Sequence, residues 1–82
     1  MNLGLALAGS GRGDEARRAL ERALAAAPED PAAHLAMADL LDTEGSLPAA
    51  RAEYASFLHY SPPGDRDRPR VLRRFPDLAA SR

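Results

Sequence analysis

Two histidines, a glycine triplet, three neighbouring carboxylates and a run of arginines are the residues of this 82-residue chain whose types could do chemistry. A metal or an acid–base site needs converging donors, yet His34 and His59 lie in different helices with no paired ligand at i+3 or i+4. Asp39, Asp42 and Glu44 place carboxylates at the spacing of one helix surface, which serves hydrolysis only where a cleft desolvates them. A chain this short has little volume from which to carve such a cleft. Gly9, Gly11 and Gly13 alternate as in a phosphate-binding loop, but no lysine follows them and no strand precedes them. Ser10, Ser46, Ser56 and Ser61 lack a neighbouring base and a nucleophile-elbow context. Cysteine is absent, which excludes a thiol nucleophile, a thiolate metal site and a disulfide framework. The expectation is a non-enzymatic chain with no catalytic residue, no metal and no cofactor.

The arginines are distributed unevenly. Residues 1 to 64 hold five arginines against nine acids, a net charge of −4, whereas residues 65 to 82 hold six arginines against three aspartates, a net charge of +3. Nucleic-acid binding calls for more positive charge and for aromatic platforms, and only Phe75 lies nearby, so no nucleic-acid partner is expected. Solubility at an exposed end, or contact with an acidic peptide through guanidinium forks, fits the composition better. The all-arginine basic complement and the abundance of alanine suggest a GC-rich bacterial genome.

The elements that position these residues come from an internal repeat. A shift of 34 carries Leu7 onto Leu41, Gly11 onto Gly45, Ala16 onto Ala50, Arg17 onto Arg51, Leu24 onto Leu58 and Pro28 onto Pro62. Leu3 with Met37, Gly4 with Ala38 and Leu20 with Tyr54 keep their apolar character, while Ala23 with Phe57 changes size. A period of this length means stacked supersecondary units, none able to bury its apolar face alone. Apolar residues at helical spacing predict helices over about 2 to 9, 14 to 26, 31 to 44 and 47 to 60. Asp14 and Glu15 bring negative charge to the start of the second, with Arg17 and Glu21 at i, i+4. Its inner stripe is Ala16, Leu20, Ala23, Leu24 and Ala27. Asp30 reads as the N-cap of the third with Pro31 in its first position, and Gly45 as its left-handed terminus. The third helix is expected to bury Leu35, Met37, Ala38 and Leu41. Ser46 reads as the cap of the fourth, with Ala50, Tyr54, Phe57 and Leu58 inward. Beyond Pro62-Pro63-Gly64, Pro69 opens a short helix carrying Val71, Leu72 and Phe75, and Pro76 ends it. Ala79 to Arg82 is expected to fray.

These columns resemble the tetratricopeptide repeat, a helix-turn-helix unit of this period. The family's small, glycine, alanine, aromatic, small and proline positions fall on Ala38, Gly45, Ala50, Tyr54, Phe57 and Pro62, and in the earlier copy on Gly4, Gly11, Ala16, Leu20, Ala23 and Pro28. Phe57 departs from the small residue usual there, as suits a last repeat with no full neighbour packed on that column. His34 stands where a tryptophan is common and is expected to serve interhelical packing. The resemblance implies an all-α solenoid (α-α superhelix), stacked as a right-handed arc in one domain. It divides into an N-terminally incomplete repeat over 1 to 30, a second repeat over 31 to 64 and a capping helix with tail over 65 to 82. It further implies a protein–protein interaction module binding a peptide or partner protein on a concave face lined by the first helix of each repeat. The matching positions are Asn2 and Leu5, then Leu35, Ala36, Asp39 and Asp42, then Arg66, Arg70 and Arg73 on the cap. The lysine and asparagine clamp of chaperone-binding members is missing, because Ala32, Leu35 and Ala36 occupy its columns. A structural C-terminal cap or fragment of a longer repeat protein, with no ligand of its own, is the alternative.

The opening MNLGLALAG lacks the basic segment and the length of a signal peptide, and no stretch approaches a membrane span. A cytoplasmic protein is therefore expected. Met1, Leu5 and Ala8 would lie uncovered at the N-terminal end, so self-association through that end is a further expectation.

Overall fold

The computed structural model describes residues 13–79. Three helices of similar length follow one another: α1 (Gly13–Ala26), α2 (Pro31–Thr43) and α3 (Leu47–Tyr60). A shorter α4 (Arg68–Arg74) and a 3₁₀ turn (Pro76–Ala79) complete the chain. No strand occurs among the described residues. The helix expected over 2 to 9, with its copy of the repeat columns, lies outside them.

Local capping chemistry sets the boundaries of α2. The Asp30 carboxylate accepts a hydrogen bond from the backbone N–H of Ala32 at 3.0 Å, and Pro31 occupies the first turn, where a missing N–H costs nothing. At the other end Gly45 has φ +84°, a left-handed conformation that a side chain would strain. Its N–H donates to the Asp42 carbonyl at 3.0 Å, and the N–H of Ser46 reaches back to the Leu41 carbonyl at 2.9 Å. That pair of bonds is a Schellman closure, which satisfies carbonyls the helix would otherwise leave open. Ser46 then precedes α3 as expected, but its hydroxyl makes no capping bond. Its carbonyl instead accepts from Ala50 N–H.

The core lies where α2 and α3 face one another. Met37, Ala38 and Leu41 from α2 are buried with Ala50, Tyr54 and Phe57 from α3. Ala33 is also buried, whereas Leu35 is only half-buried, because it sits at the edge of the apolar stripe and not at its centre. Leu20, Ala23 and Leu24 of α1 are half-buried. Ala16 and Ala27, expected on the same inner stripe, are exposed, so α1 presents a narrower face to its neighbours than its sequence columns suggest. Arg17 does not take Glu21 as its ion-pair partner. Its guanidinium crosses to Glu44 at the end of α2, a neighbour that helix periodicity alone has no means of identifying.

The C-terminal segment is packed, not merely appended. Val71 is fully buried and Leu78 is 6% exposed, both in the cluster that contains Phe57. Pro76 ends α4 as expected, but the chain then turns back through the 3₁₀ segment, where Asp77 receives the Arg51 guanidinium of α3, with the Nε bond at 2.9 Å. Arg68 points inward and donates to the Leu58 carbonyl at 2.7 Å and to the Ser61 hydroxyl at 2.8 Å, closing the open C-terminal end of α3. Phe57, expected to tolerate a missing neighbour, is thus 1% exposed beneath a cap that covers it.

Candidate functional site

α2 carries Leu35, Ala36, Asp39 and Asp42 on the side away from its most buried residues, and α4 brings its arginines to the same place. Arg70 donates to both oxygens of Asp39, at 3.1 and 3.3 Å. One turn along, Arg74 donates to both oxygens of Asp42, at 3.1 and 3.0 Å. The Tyr54 hydroxyl, reaching up from the core, donates to Asp39 at 2.6 Å and to Asp42 at 3.4 Å. Two fork-on-carboxylate pairs on successive turns, joined by one phenol, form a ladder between α2 and α4. Phe75 packs on Tyr54 with ring centroids 5.5 Å apart, and the Arg74 guanidinium covers the Phe75 ring at 5.1 Å.

The electrostatics follow from these contacts. The Arg74 guanidinium bonded to Asp42 holds that carboxyl below the usual aspartate range, against some desolvation. Burial, reinforced by the Asp39 carboxylate, pushes the Tyr54 hydroxyl well above the ordinary phenol range, so it stays a donor. Asp42 is a group whose folded pKa is depressed. Its contribution to stability is therefore present at neutral pH and above the unfolded value of about 3.9, and is lost as pH falls through the folded value. Asp42→Asn should flatten the acid limb of the stability curve below about pH 4. Because Arg74 is half exposed, the effect should be small and should shrink with added salt. Urea melts at a series of acid pH values check this, and an unchanged acid limb would count against it.

The ladder also predicts the outcome of removing one oxygen. Tyr54→Phe keeps the ring in the core and takes away the donor shared by the two aspartates, so it should cost about 1 to 2 kcal/mol. Thermal melts of the two proteins measure it. A loss below about 0.5 kcal/mol would show that the hydroxyl had been given too much weight.

Of the positions expected to face a partner, Ala36 is exposed and Leu35 half-buried. Asp39 and Asp42 are brought together but already carry cations from α4. Arg70 is half of that ladder and also stands 3.7 Å from Asp67. Arg66 and Arg73 are exposed and make no ion pair among the described residues. Asn2 and Leu5 lie outside the described residues. Tyr54 and Arg74 are the members that sequence reasoning did not assign to this surface. The signal available was Asp39 and Asp42 at i, i+3 opposite Arg70 and Arg74 at i, i+4, about one repeat period away.

His34 serves packing between helices, as expected. Its Nδ1 is 2.7 Å from Glu53 of α3 and its Nε2 is 2.7 Å from the Pro28 carbonyl, while its ring stacks on Tyr60 at 5.6 Å. Both partners are acceptors, so a ring with one N–H satisfies only one of them at a time. Neither nitrogen is left as a metal ligand. A separate groove of about 730 Å³ lies between α3, α4 and the 3₁₀ turn, lined by Leu58, Leu72, Leu78 and the Arg68 side chain among others. No ladder residue lines it. No helix among the described residues is long and apolar enough to cross a membrane.

Compared with known proteins, residues 1–65 match the family model described as tetratricopeptide repeat. No curated protein and no solved structure matches the chain.

Proposed function

The chain belongs to the tetratricopeptide repeat family, whose members generally mediate protein–protein interaction, and from that premise we propose that it holds a peptide or partner segment on the face shared by α2 and α4. The supporting observation is Ala36, exposed on the outer side of α2 one turn before Asp39, which Arg70 engages. A flat, small residue next to a rigid polar row is a surface against which an extended segment can lie. In this reading the chain comprises a first repeat over 1 to 30, a second over 31 to 64 and a cap over 65 to 82.

The test is to pan a random dodecapeptide library against the whole chain and to measure the enriched peptides against Ala36→Gln, a variant that crowds the face without adding charge or touching the core. Loss of binding is expected. Failure to enrich any peptide, or binding indifferent to Ala36→Gln, would end the proposal.

A second reading, that the segment is a structural cap with no ligand, is favoured by a different observation. Val71 and Phe75 stand 34 residues after Met37 and Leu41, so α4 carries the apolar pair of a first repeat helix. Val71 is buried like Met37 and Leu41, and Arg70 and Arg74 are engaged within the chain. The panning experiment decides between the two, because a pure cap enriches nothing.

A further inference from the structure

We propose that the segment held on the α2–α4 face is acidic, a proposal that rests on the interaction reading above and names the chemistry of the partner. Each of the four carboxylate oxygens of Asp39 and Asp42 already accepts at least one hydrogen bond, from Arg70, Arg74 or Tyr54. The guanidiniums are not exhausted. Each has five N–H donors, and Arg70 and Arg74 each turn two nitrogens to their carboxylates while remaining about half exposed. Arg66 in the turn before α4 and Arg73 on its outer arc keep their donors open to solvent. Arg73 and Arg74 lie three and four residues after Arg70, which makes each of them its neighbour on the helix surface. An arriving partner therefore meets more open donors than open acceptors, even with the Asp67 carboxylate standing 3.7 Å from Arg70. The aspartates that would have drawn a basic partner are the groups the cap has already satisfied.

The same surface disfavours nucleic acid. Base recognition on a basic face relies on open aromatic rings for stacking. Phe75, which follows the last residue of α4, is flanked by the Tyr54 ring and by the Arg74 guanidinium. What remains suits carboxylates, which guanidinium forks hold in a planar, two-bonded geometry.

Fluorescein-labelled octaglutamate, octalysine and an oligothymidylate, each titrated with the full chain and followed by anisotropy, test the proposal. Octaglutamate should bind, weaken as salt rises and the Debye length falls below about 10 Å, and bind about tenfold or more weakly to the double variant Arg66→Glu/Arg73→Glu. Circular dichroism should show that this variant retains its helices, since neither side chain is paired within the described fold. The milder Arg66→Gln/Arg73→Gln should weaken binding in the same direction if charge reversal disturbs folding. No octaglutamate binding, binding insensitive to both double variants, or octalysine bound as well would overturn the proposal. Tighter binding of oligothymidylate would reassign the face to nucleic acid. Peptides that are enriched by panning and lost with Ala36→Gln, yet are neutral or basic, would sink the acidic assignment alone. An empty panning result would remove the interaction reading itself.

Discussion

Phe57→Ala is expected to lower the unfolding free energy by about 3 to 5 kcal/mol, the range for emptying a well-packed aromatic site. The side chain is 1% exposed and shares its cluster with Met37, Tyr54, Val71 and Leu78, which come from three helices and the final turn. Truncation would leave a cavity bordered by the C-terminal cap, and the cap is anchored from outside by Arg51 on Asp77 and by Arg68 on the end of α3. It is poorly placed to collapse into the void. A domain of this length has on the order of 4 to 12 kcal/mol of stability, so the loss is a large part of the whole. Urea denaturation followed by circular dichroism measures it. A cost below about 1 kcal/mol would mean that the site relaxes freely and that the cap is loosely held.

The second large effect comes from adding atoms. Ala50 is fully enclosed, as is Ala38 in the facing helix, and such small residues let α2 and α3 approach closely. Ala50→Leu should cost about 1 to 3 kcal/mol through overpacking. Ala49→Leu adds the same atoms at an exposed position and should stay within about 0.5 kcal/mol of the parent. In a domain of this size each kcal/mol shifts the melting temperature by about 4 to 8 °C, so one pair of melts separates the variants. Equal losses would show that the two positions do not differ in packing as they do in exposure.

The helices were legible in the sequence because their determinants are local. Asp30 before Pro31, and Gly45 where a left-handed residue is required, act over four or five residues, so α2 and α3 begin and end within one residue of the periodicity-based expectation. Ser46 shows the limit of that reasoning, since a residue of the right type in the right place leaves its hydroxyl uncommitted. Contacts across the chain were harder to foresee. Arg17 has an acid one turn away at Glu21, yet pairs with Glu44, because helix spacing ranks only neighbours on the same helix. Leu78 lies beyond a proline that ends the periodic pattern, and nothing in its immediate sequence announces that the chain turns back to bury it. Asp39 and Asp42 of the candidate face, expected on a helix surface, are half-buried there. Their engagement by Arg70 and Arg74 depends on the angle at which α4 docks, which no spacing rule encodes.

The closure of α2 onto α3 at Gly45 has a kinetic consequence. Only the residues from Glu44 to Ser46 separate the two helices, so their mutual contacts form with little loop entropy to overcome, whereas the ladder joins residues 31 and 32 apart in the chain. The hairpin is thus placed to assemble in the folding transition state and the cap to dock afterwards. A substitution at Ala50 would then slow refolding, while one at Arg70 would leave the refolding rate nearly untouched and hasten unfolding. The arginine ladder would in that case govern how long the folded chain persists, and the glycine turn how quickly it forms.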